Sequence, residues 1–437
     1  MKREKRPLTD WAWLAAGVLG ALLFFWRTVL PATRTHTYAF SAYYTAARLT
    51  LQGRAGISFC GEWFFEQQRA LGFGNRADFF CPNPPTTALI MLPVAWLPPR
   101  VALAAWVACT LVLVAGIIAV GWRIVAVEPE LLAWKNCAAR EEHAGRNLSA
   151  RSPRAGGWRF VALAAIVTPF YRPLHADLLA SQVYSLVALF YAFWLYGYLT
   201  RRDWLCGAAL AGLALAKLSG WPLWLLLIAA RRWRALAWTL GVGLAGLLLS
   251  LPLLGLDFWR LYLFDQILAI PAEPSSAVPA NQTLSSLLRQ CLAYDQHWAP
   301  RPLLDAPWLA GALWWALALV LLAATLLAAA RRRTPAIPMA MICLVVPLQP
   351  AGEEYHYTLL LLVLLLLLAT WRGPLAMAAL LGAALLFALP SYFVNTAVFG
   401  GWPQALLAYP RMYAALLLWG LLMLPGVGNQ LAGHNCS

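Results

Sequence analysis

Charged residues are scarce in this chain, and their scarcity excludes most classes of soluble protein. Of the 437 residues, 12% are charged and 62% are hydrophobic, whereas soluble globular proteins carry about 25% charged and about 45–50% apolar residues. This composition excludes a soluble enzyme, a disordered chain and a coiled coil. The sequence therefore predicts an all-α polytopic membrane protein.

The sequence also lacks the motifs of several kinds of chemistry. No P-loop and no zinc-binding spacing occurs, and none of the eight cysteines belongs to a CxxC pair. We therefore expect no metal and no cofactor. The net charge of +15 is typical of nucleic-acid binding in a soluble domain. In a membrane protein it instead indicates basic residues that flank helices on the cytoplasmic side, so no nucleic-acid partner is expected.

Apolar runs recur along the whole chain. Since a spanning helix needs about 20 apolar residues, these runs predict about twelve transmembrane helices. The run 84–98 ends at a pair of prolines, and the orientation of its flanking loops requires an odd number of crossings. Either this run is re-entrant, which we favour, or the linker 123–159 lies outside despite its basic residues. Arginine-rich turns such as Arg201-Arg202 and Arg231-Arg232 place the N-terminus in the cytoplasm, with the protein in the plasma (bacterial inner) membrane.

The sequence is interpreted as one membrane domain, 1–437, with three long polar segments. These segments are the first outer loop (31–83), a basic cytoplasmic linker (123–159) and a second large outer loop (256–306). Within the first outer loop, 41–52 and 61–71 show helical periodicity with aromatic and basic residues, which favours amphipathic helices that lie in the membrane interface. The same loop contains Cys60 and Cys81, and both a disulfide and two free thiols are open for this pair.

Lys217 is the exception among spans that are almost free of charge. It lies near the outer end of a short apolar run. One interpretation is that its side chain reaches the interface to keep the ammonium hydrated. The other is that the ammonium pairs with a lipid phosphate at the outer headgroup level.

A series of short motifs, in order along most of the chain, resembles glycosyltransferase family 87. The first is Ala39-Phe-Ser-Ala-Tyr-Tyr-Thr-Ala-Ala-Arg-Leu49, followed by Gly53-Arg54-Ala55. The later motifs are Phe80-Cys-Pro-Asn-Pro-Pro85, Pro93-Val-Ala-Trp-Leu-Pro98, Ser181-Gln182, Ala211-Gly212 to Lys217, Arg231-Arg232-Trp233, Asn281 to Leu284 and His356-Tyr357. Because that family consists of integral membrane enzymes of the GT-C superfamily, the resemblance implies a GT-C-like architecture.

The resemblance also implies a reaction. A hexose, often mannose, would move from a polyprenyl-phosphate sugar donor to a lipid or glycan acceptor on the outer face, with inversion and without a nucleotide. One carboxylate in the first outer loop would act as general base on the acceptor hydroxyl, and basic residues would hold the lipid phosphate. The implied partners are the donor, the acceptor and membrane lipids.

The chain departs from the family at Ala39, where members usually carry Asp. Since alanine cannot accept a proton, either another carboxylate serves as base or the chain no longer catalyses the reaction, and whether it is an enzyme stays open. The candidate catalytic residues are Glu62, Glu66, Asp78 and His356, the candidate donor-phosphate ligands are Lys217, Arg48 and Arg289, and the candidate substrate-binding residues are Tyr43, Gln182, Asn281 and Glu354. Glu353 is a further carboxylate that could approach from the far side. The simpler interpretation is a solvated helix face for Glu62 and Glu66 and a loop cap for Asp78.

Two alternative functions stay open beside the transferase. The first is a catalytically degenerate relative that binds a polyprenyl-linked glycan or a partner without turnover, which Ala39 favours. The second is a lipid or solute transporter, which the number of spans favours and the shortage of charge within the membrane disfavours.

Overall fold

The structure is a computed structural model that describes residues 8–34, 37–56, 59, 61–81, 83–127, 153–267, 277–332, 334–371, 373–390 and 405–424. Within these residues the regular secondary structure is helical. Backbone pairing of the strand type is confined there to two isolated bridges, Asn281 with Glu353 and Asp295 with Ala299. The predicted all-α class is therefore confirmed for the described part of the chain.

Sixteen helices of the described chain are numbered here in order. They are α1 (Leu8–Phe24), α2 (Tyr38–Leu51), α3 (Glu62–Ala70), α4 (Pro99–Trp122), α5 (Pro153–Val167), α6 (Arg172–Ala180), α7 (Tyr184–Leu199), α8 (Asp203–Lys217), α9 (Trp221–Ala229), α10 (Trp233–Leu254), α11 (Leu284–Leu292), α12 (Pro307–Arg331), α13 (Ala336–Leu344), α14 (Leu361–Thr370), α15 (Pro374–Ala388) and α16 (Pro410–Met423). Shorter helical turns lie between them, including Thr87–Ile90, Leu256–Arg260 and Glu354–Leu360.

Four helices of the described chain are long and apolar enough to cross a membrane. They are Thr9–Ala32, Pro99–Val127, Trp233–Leu254 and Pro307–Arg331. Five further apolar helices are shorter, with 10–17 residues each, which is less than a straight crossing of about 30 Å requires. The chain is thus a membrane protein with at least four candidate spans, and the count of about twelve stays a prediction.

The burial pattern separates membrane-facing helices from the protein core. On α10 and α12, large apolar side chains such as Leu249 and Trp315 are exposed, although exposing them to water is unfavourable. In contrast, every residue of α13 is buried. This arrangement fits a protein whose outer helices contact lipid and whose central helices are enclosed by other helices.

Two glycines allow pairs of helices to approach closely. A Cβ atom added to Gly20 on α1 would lie 2.3 Å from the Ala165 carbonyl oxygen on α5, and one added to Gly207 on α8 would lie 2.4 Å from the Ala235 carbonyl oxygen on α10. Neither position has room for a larger side chain. Small residues at such contacts are the usual means by which membrane helices pack.

The two helices predicted in the first outer loop are present as α2 and α3. Helix α3 has the expected exposed polar residues, but α2 is buried along almost its whole length. Its alanines allow close packing, and its rings Phe40 and Tyr44 join an aromatic cluster with Phe73. Helix α2 is thus enclosed by protein rather than laid along the surface as the sequence suggested.

The segment 84–98 forms only the short helix Thr87–Ile90, followed by turns, so it makes no spanning helix. The hydroxyl groups of Thr86 and Thr87 donate hydrogen bonds to the carbonyl oxygens of Leu215 and Ala216. These carbonyls belong to the last turn of α8, where they have no partner within the helix. The segment is therefore fixed against the end of α8.

Parts of the predicted loops lie outside the described residues. The centre of the linker (128–152), residues 268–276 of the second outer loop, and Cys60 belong to those parts. Cys81 is disulfide-bonded, which excludes the free-thiol alternative for this residue. The pairing with Cys60 stays a prediction.

Candidate functional site

Lys217 lies at the centre of a polar cluster formed by four segments. Its Nζ donates to the hydroxyl oxygen of Tyr43 at 2.7 Å and to Oδ1 of Asn83 at 2.6 Å. The side chain is half-buried. Since an ammonium group has three donors, these two bonds leave one N–H that has no hydrogen-bond acceptor among the described residues.

Tyr43 connects Lys217 to a second polar side chain. Its hydroxyl donates to Oε1 of Gln182 at 2.8 Å while accepting from Lys217. The ring of Tyr43 and the ring of Tyr184 also face the ammonium, with Nζ 5.3 and 5.4 Å from their centroids. Two neutral oxygens and two aromatic faces thus stabilise the cation, and none of the described carboxylates forms a salt bridge with it.

The local backbone explains why the lysine is held at this point. Lys217 is the last residue of α8, and Leu218 ends the helix in the left-handed conformation with φ of 44°. The Ser219 N–H then bonds back to the Leu213 carbonyl oxygen, which closes the helix end. A cation in the last turn is also favoured by the negative end of the helix dipole.

Three carboxylates surround Lys217 closely enough to interact with it electrostatically, namely Asp78, Asp177 and Glu353. Burial raises the pKa of Asp78, while its bond from the Phe79 N–H and the charge of Lys217 act in the opposite direction. Burial raises the pKa of Asp177 to about 7, despite hydrogen bonds from Ser185 and from the backbone. The site therefore combines one cation with carboxylates that hold a proton more tightly than usual.

His356 joins the cluster through its aromatic neighbours. Its ring lies 4.2 Å from the ring of Tyr184 and 4.8 Å from that of Tyr355, centroid to centroid. Its Nδ1 accepts the backbone N–H of Glu353 at 3.0 Å, and the Glu353 carboxylate accepts the backbone N–H of His356 in return. This reciprocal cap fixes the histidine ring beside the tyrosine that faces Lys217.

Asn281 reaches the same region through the backbone bridge that it forms with Glu353. The neighbouring Gln282 holds this bridge in place, because its N–H donates to the Gly352 carbonyl at 2.7 Å and its side-chain amide donates to the Ala408 carbonyl at 2.7 Å. The Tyr357 hydroxyl donates to the Gln282 carbonyl. These contacts attach Asn281 and Gln282 to the segment that contains Glu353 and His356.

Glu354 points into a different environment from Glu353. Arg411 is fully buried and its Nη2 donates to Oε1 of Glu354 at 2.5 Å, while Nε of Arg172 lies 3.7 Å from the same oxygen. Arg411 also donates to the carbonyls of Leu386 and Leu389. These contacts commit Glu354 to an internal ion pair between helices.

The remaining predicted residues make no contact with the Lys217 cluster within the described part of the chain. Glu62 is exposed and pairs with Arg69 at 2.9 Å, and Glu66 is exposed on the same helix. Arg48 donates to the Ala95 carbonyl and to Tyr44. Arg289 is half-buried on α11, and no contact joins it to Lys217. The structure thus brings together Lys217, Tyr43, Gln182, Asp78 and His356, with Asn281 attached through the backbone.

Three members of the cluster were not singled out in the sequence. Asn83 lies in the quoted Phe80-to-Pro85 motif without a role, while Asp177 and Tyr184 lie in no motif at all. A carboxylate between two apolar runs was the only available signal for Asp177. Among the residues that the structure covers, no group of three or more His, Cys, Asp or Glu side chains is placed to hold a metal ion.

Comparison with known proteins supplies a family assignment. Neither the curated proteins nor the solved structures gave a match. The sequence profile of glycosyltransferase family 87 matches residues 80–348, more than half of the chain, and this range includes Asn83, Gln182 and Lys217. The chain belongs to glycosyltransferase family 87.

Proposed function

We propose that this protein is a membrane glycosyltransferase that moves a hexose, most simply mannose, from a polyprenyl-phosphate donor to a lipid or glycan acceptor. Membership in the family supports a sugar donor and a sugar acceptor as partners. The proposal includes a GT-C-like architecture, the plasma membrane, a cytoplasmic N-terminus and a site that opens to the outer face. The observation that carries it is the half-buried Lys217 with its partners Tyr43 and Asn83.

Lys217 is proposed to hold the donor phosphate. A half-buried cation at the end of an apolar helix is costly to maintain, and such residues in membrane proteins usually serve function. Its direct partners are neutral, so its charge is not cancelled at contact distance. The remaining N–H can donate to a phosphate oxygen, and this bond strengthens as the phosphate leaves with its extra negative charge.

The other members of the cluster are proposed to shape the sugar site. Gln182 and Asn281 carry amides that can donate to and accept from sugar hydroxyls. His356, whose Nδ1 accepts the Glu353 backbone N–H and whose ring lies against that of Tyr184, would offer its other ring nitrogen to the sugar. A carboxylate near Lys217 would remove the proton from the acceptor hydroxyl, which suits displacement with inversion.

The test is a transfer assay with the purified full chain in lipid vesicles. Radiolabelled polyprenyl phosphates that carry mannose, glucose or galactose are supplied with a membrane-lipid acceptor mixture. Transfer by the wild-type chain is expected, with Lys217→Met lowering kcat/KM by about ten- to a hundredfold, since a hydrogen bond to a charged group contributes about 1.5–3 kcal/mol. Lys217→Arg should retain part of the activity because it keeps the charge.

The matched control is Arg260→Met, which removes an exposed cation whose carboxylate partner, Asp257, is also exposed. Its transfer rate should equal that of the wild type. If Lys217→Met were as active as Arg260→Met, the proposed phosphate role of Lys217 would be wrong.

Ala39 favours a second candidate function, a degenerate relative that binds the polyprenyl-linked sugar without turnover. Its Cβ lies one helical turn before Tyr43, on the same side of α2, where the family carboxylate would face the cluster. If the wild-type chain transferred no sugar from any donor but bound the donor through Lys217, this alternative would be supported over the transferase.

A further inference from the structure

The three carboxylates around Lys217 differ in how their oxygen atoms are used. Asp177 is fully buried, its Oδ1 accepts the Tyr184 N–H at 3.0 Å, and its Oδ2 accepts the Ser185 hydroxyl at 2.5 Å. Both oxygens therefore cap the start of α7. A carboxylate that is enclosed and engaged at both atoms is poorly placed to reach a substrate.

Glu353 is also committed to local structure. Its carboxylate accepts the His356 N–H as the cap of the turn Glu354–Leu360 and forms a side-chain hydrogen bond with Tyr355. Using it as a base would mean giving up its bonds to the His356 backbone N–H and to Tyr355.

Asp78 is the remaining carboxylate, and one of its oxygens is available. Oδ1 accepts the N–H of the next residue, Phe79, at 2.8 Å, whereas Oδ2 has no hydrogen-bond partner within the described residues. The residue is half-buried, so this oxygen can face a ligand while the rest of the side chain stays fixed.

The backbone of Asp78 is held by an unusual pair of contacts from one buried side chain. The amide of Gln68, which is fully buried on α3, donates from Nε2 to the Asp78 carbonyl at 2.9 Å and accepts the Asp78 N–H on Oε1 at 3.0 Å. The two bonds reproduce the pattern of a strand pair at a single residue. They fix both the position and the rotation of the Asp78 peptide.

The same amide connects Asp78 to the start of α2. The Ser41 hydroxyl lies 2.9 Å from Oε1 of Gln68 and 2.6 Å from the Arg76 carbonyl oxygen. The segment that leads to Asp78 is thus hydrogen-bonded to the first turn of α2, which contains Ala39. Asp78 therefore lies on the loop next to the turn where the resemblance implies a carboxylate and the chain has Ala39.

We propose that Asp78 is the general base of the transfer reaction and that Gln68 is the residue that positions it. In this step Oδ2 of Asp78 takes the proton of the acceptor hydroxyl, and the acceptor oxygen forms a bond to the anomeric carbon. The bond from that carbon to the phosphate oxygen breaks, and its electron pair leaves with the polyprenyl phosphate beside Lys217. This assignment rests on the proposed function and selects one carboxylate within it.

The decisive variant is Asp78→Asn, which keeps the size of the side chain and the acceptor for the Phe79 N–H. We expect kcat to fall by about a hundredfold or more, the usual contribution of a general base, with little change in the Kd for polyprenyl phosphate. Asp257→Asn, an exposed outer-loop carboxylate, is the matched control and should transfer at the wild-type rate. If Asp78→Asn transferred as fast as Asp257→Asn, the assignment of the base would be overturned.

The role of Gln68 is tested by combining variants. Gln68→Met removes both bonds to Asp78 and should lower kcat at least tenfold with KM nearly unchanged. In the double variant Gln68→Met/Asp78→Asn, kcat should equal that of Asp78→Asn alone, because a positioning residue has no effect once the positioned group is gone. If the fold-losses of kcat in the two single variants multiplied in the double variant, the positioning role of Gln68 would be contradicted.

The two proposals fail in different ways. If sugar transfer depended on Lys217 but not on Asp78, the proposed function would be supported and Asp78 would not be its general base. A wild-type chain that transfers none of the donor sugars would overturn both.

Discussion

The ammonium of Lys217 lies 2.7 Å from the hydroxyl oxygen of Tyr43, a residue 174 positions earlier in the chain. This contact joins the end of α8 to the middle of α2. The Thr86 and Thr87 hydroxyls attach the intervening segment to the same helix end. A cation, a phenol and an amide thereby meet at one point where the fold could bind an anionic group.

Tyr43→Phe should weaken the use of the donor. The change removes the hydroxyl that accepts from Lys217 and donates to Gln182, so the ammonium becomes less precisely held. We expect the KM for the donor to rise several-fold and the free energy of unfolding to fall by about 1 kcal/mol. Tyr262→Phe is the control, because the buried Tyr262 hydroxyl has no hydrogen-bond partner within the described residues; equal effects of the two changes on KM would count against the role of Tyr43.

Arg411→Met should destabilise the protein strongly. It leaves the Glu354 carboxylate without the fully buried partner that now donates to it, and breaking such a pair costs about 3–5 kcal/mol. The double variant Arg411→Met/Glu354→Leu should recover most of this loss, because the buried carboxylate is gone and the remaining Arg172 is partly exposed to solvent. Unfolding in detergent micelles measures both, and a double variant less stable than Arg411→Met would show that Glu354 has another stabilising partner.

Asp177 should make stability depend on pH. Burial raises its folded-state pKa from the ordinary value of 3.8 to about 7, so the folded protein binds the proton more tightly than the unfolded chain. The free energy of unfolding should therefore decrease as pH rises from about 4 to about 7. Asp177→Asn should reduce this slope; an identical slope in wild type and variant, measured by denaturant titration over that pH range, would exclude Asp177 as its source.

Cys81 should resist alkylation until the protein is reduced, because it is disulfide-bonded. With Cys60 as the predicted partner, Cys60→Ser should free Cys81 for labelling without a reductant. Peptide mass spectrometry after alkylation measures both thiols. Labelling of Cys81 in the unreduced wild-type protein would contradict the disulfide, and continued protection in Cys60→Ser would contradict the partner.

The sequence predicted the helical class and part of the site because both depend on local patterns. Composition and apolar runs identify membrane helices, the periodicity of the first outer loop identified α2 and α3, and an isolated charge in an apolar run drew attention to Lys217. The motifs shared with the family include Tyr43, Gln182 and Lys217, and the structure brings these three side chains into one hydrogen-bonded chain.

What the sequence could not predict depends on contacts between distant segments. The packing of α2 against Phe73, the ion pair of Glu354 with Arg411 and the hydrogen bond from Arg48 to the Ala95 carbonyl all involve partners about 30 or more positions apart. No periodicity in the sequence encodes such contacts. The roles of Asn83 and Asp177 are of the same kind, since each is defined by the neighbour that the fold brings to it.

The most direct test of the Lys217 site is to measure the affinity of the full chain, in lipid nanodiscs, for a polyprenyl phosphate and for the corresponding polyprenol. Comparing wild type with Lys217→Met isolates the contribution of the phosphate. The proposed phosphate role of Lys217 predicts that the wild type prefers the phosphate at least tenfold and that Lys217→Met binds both ligands equally. An undiminished preference for the phosphate in Lys217→Met would contradict the account.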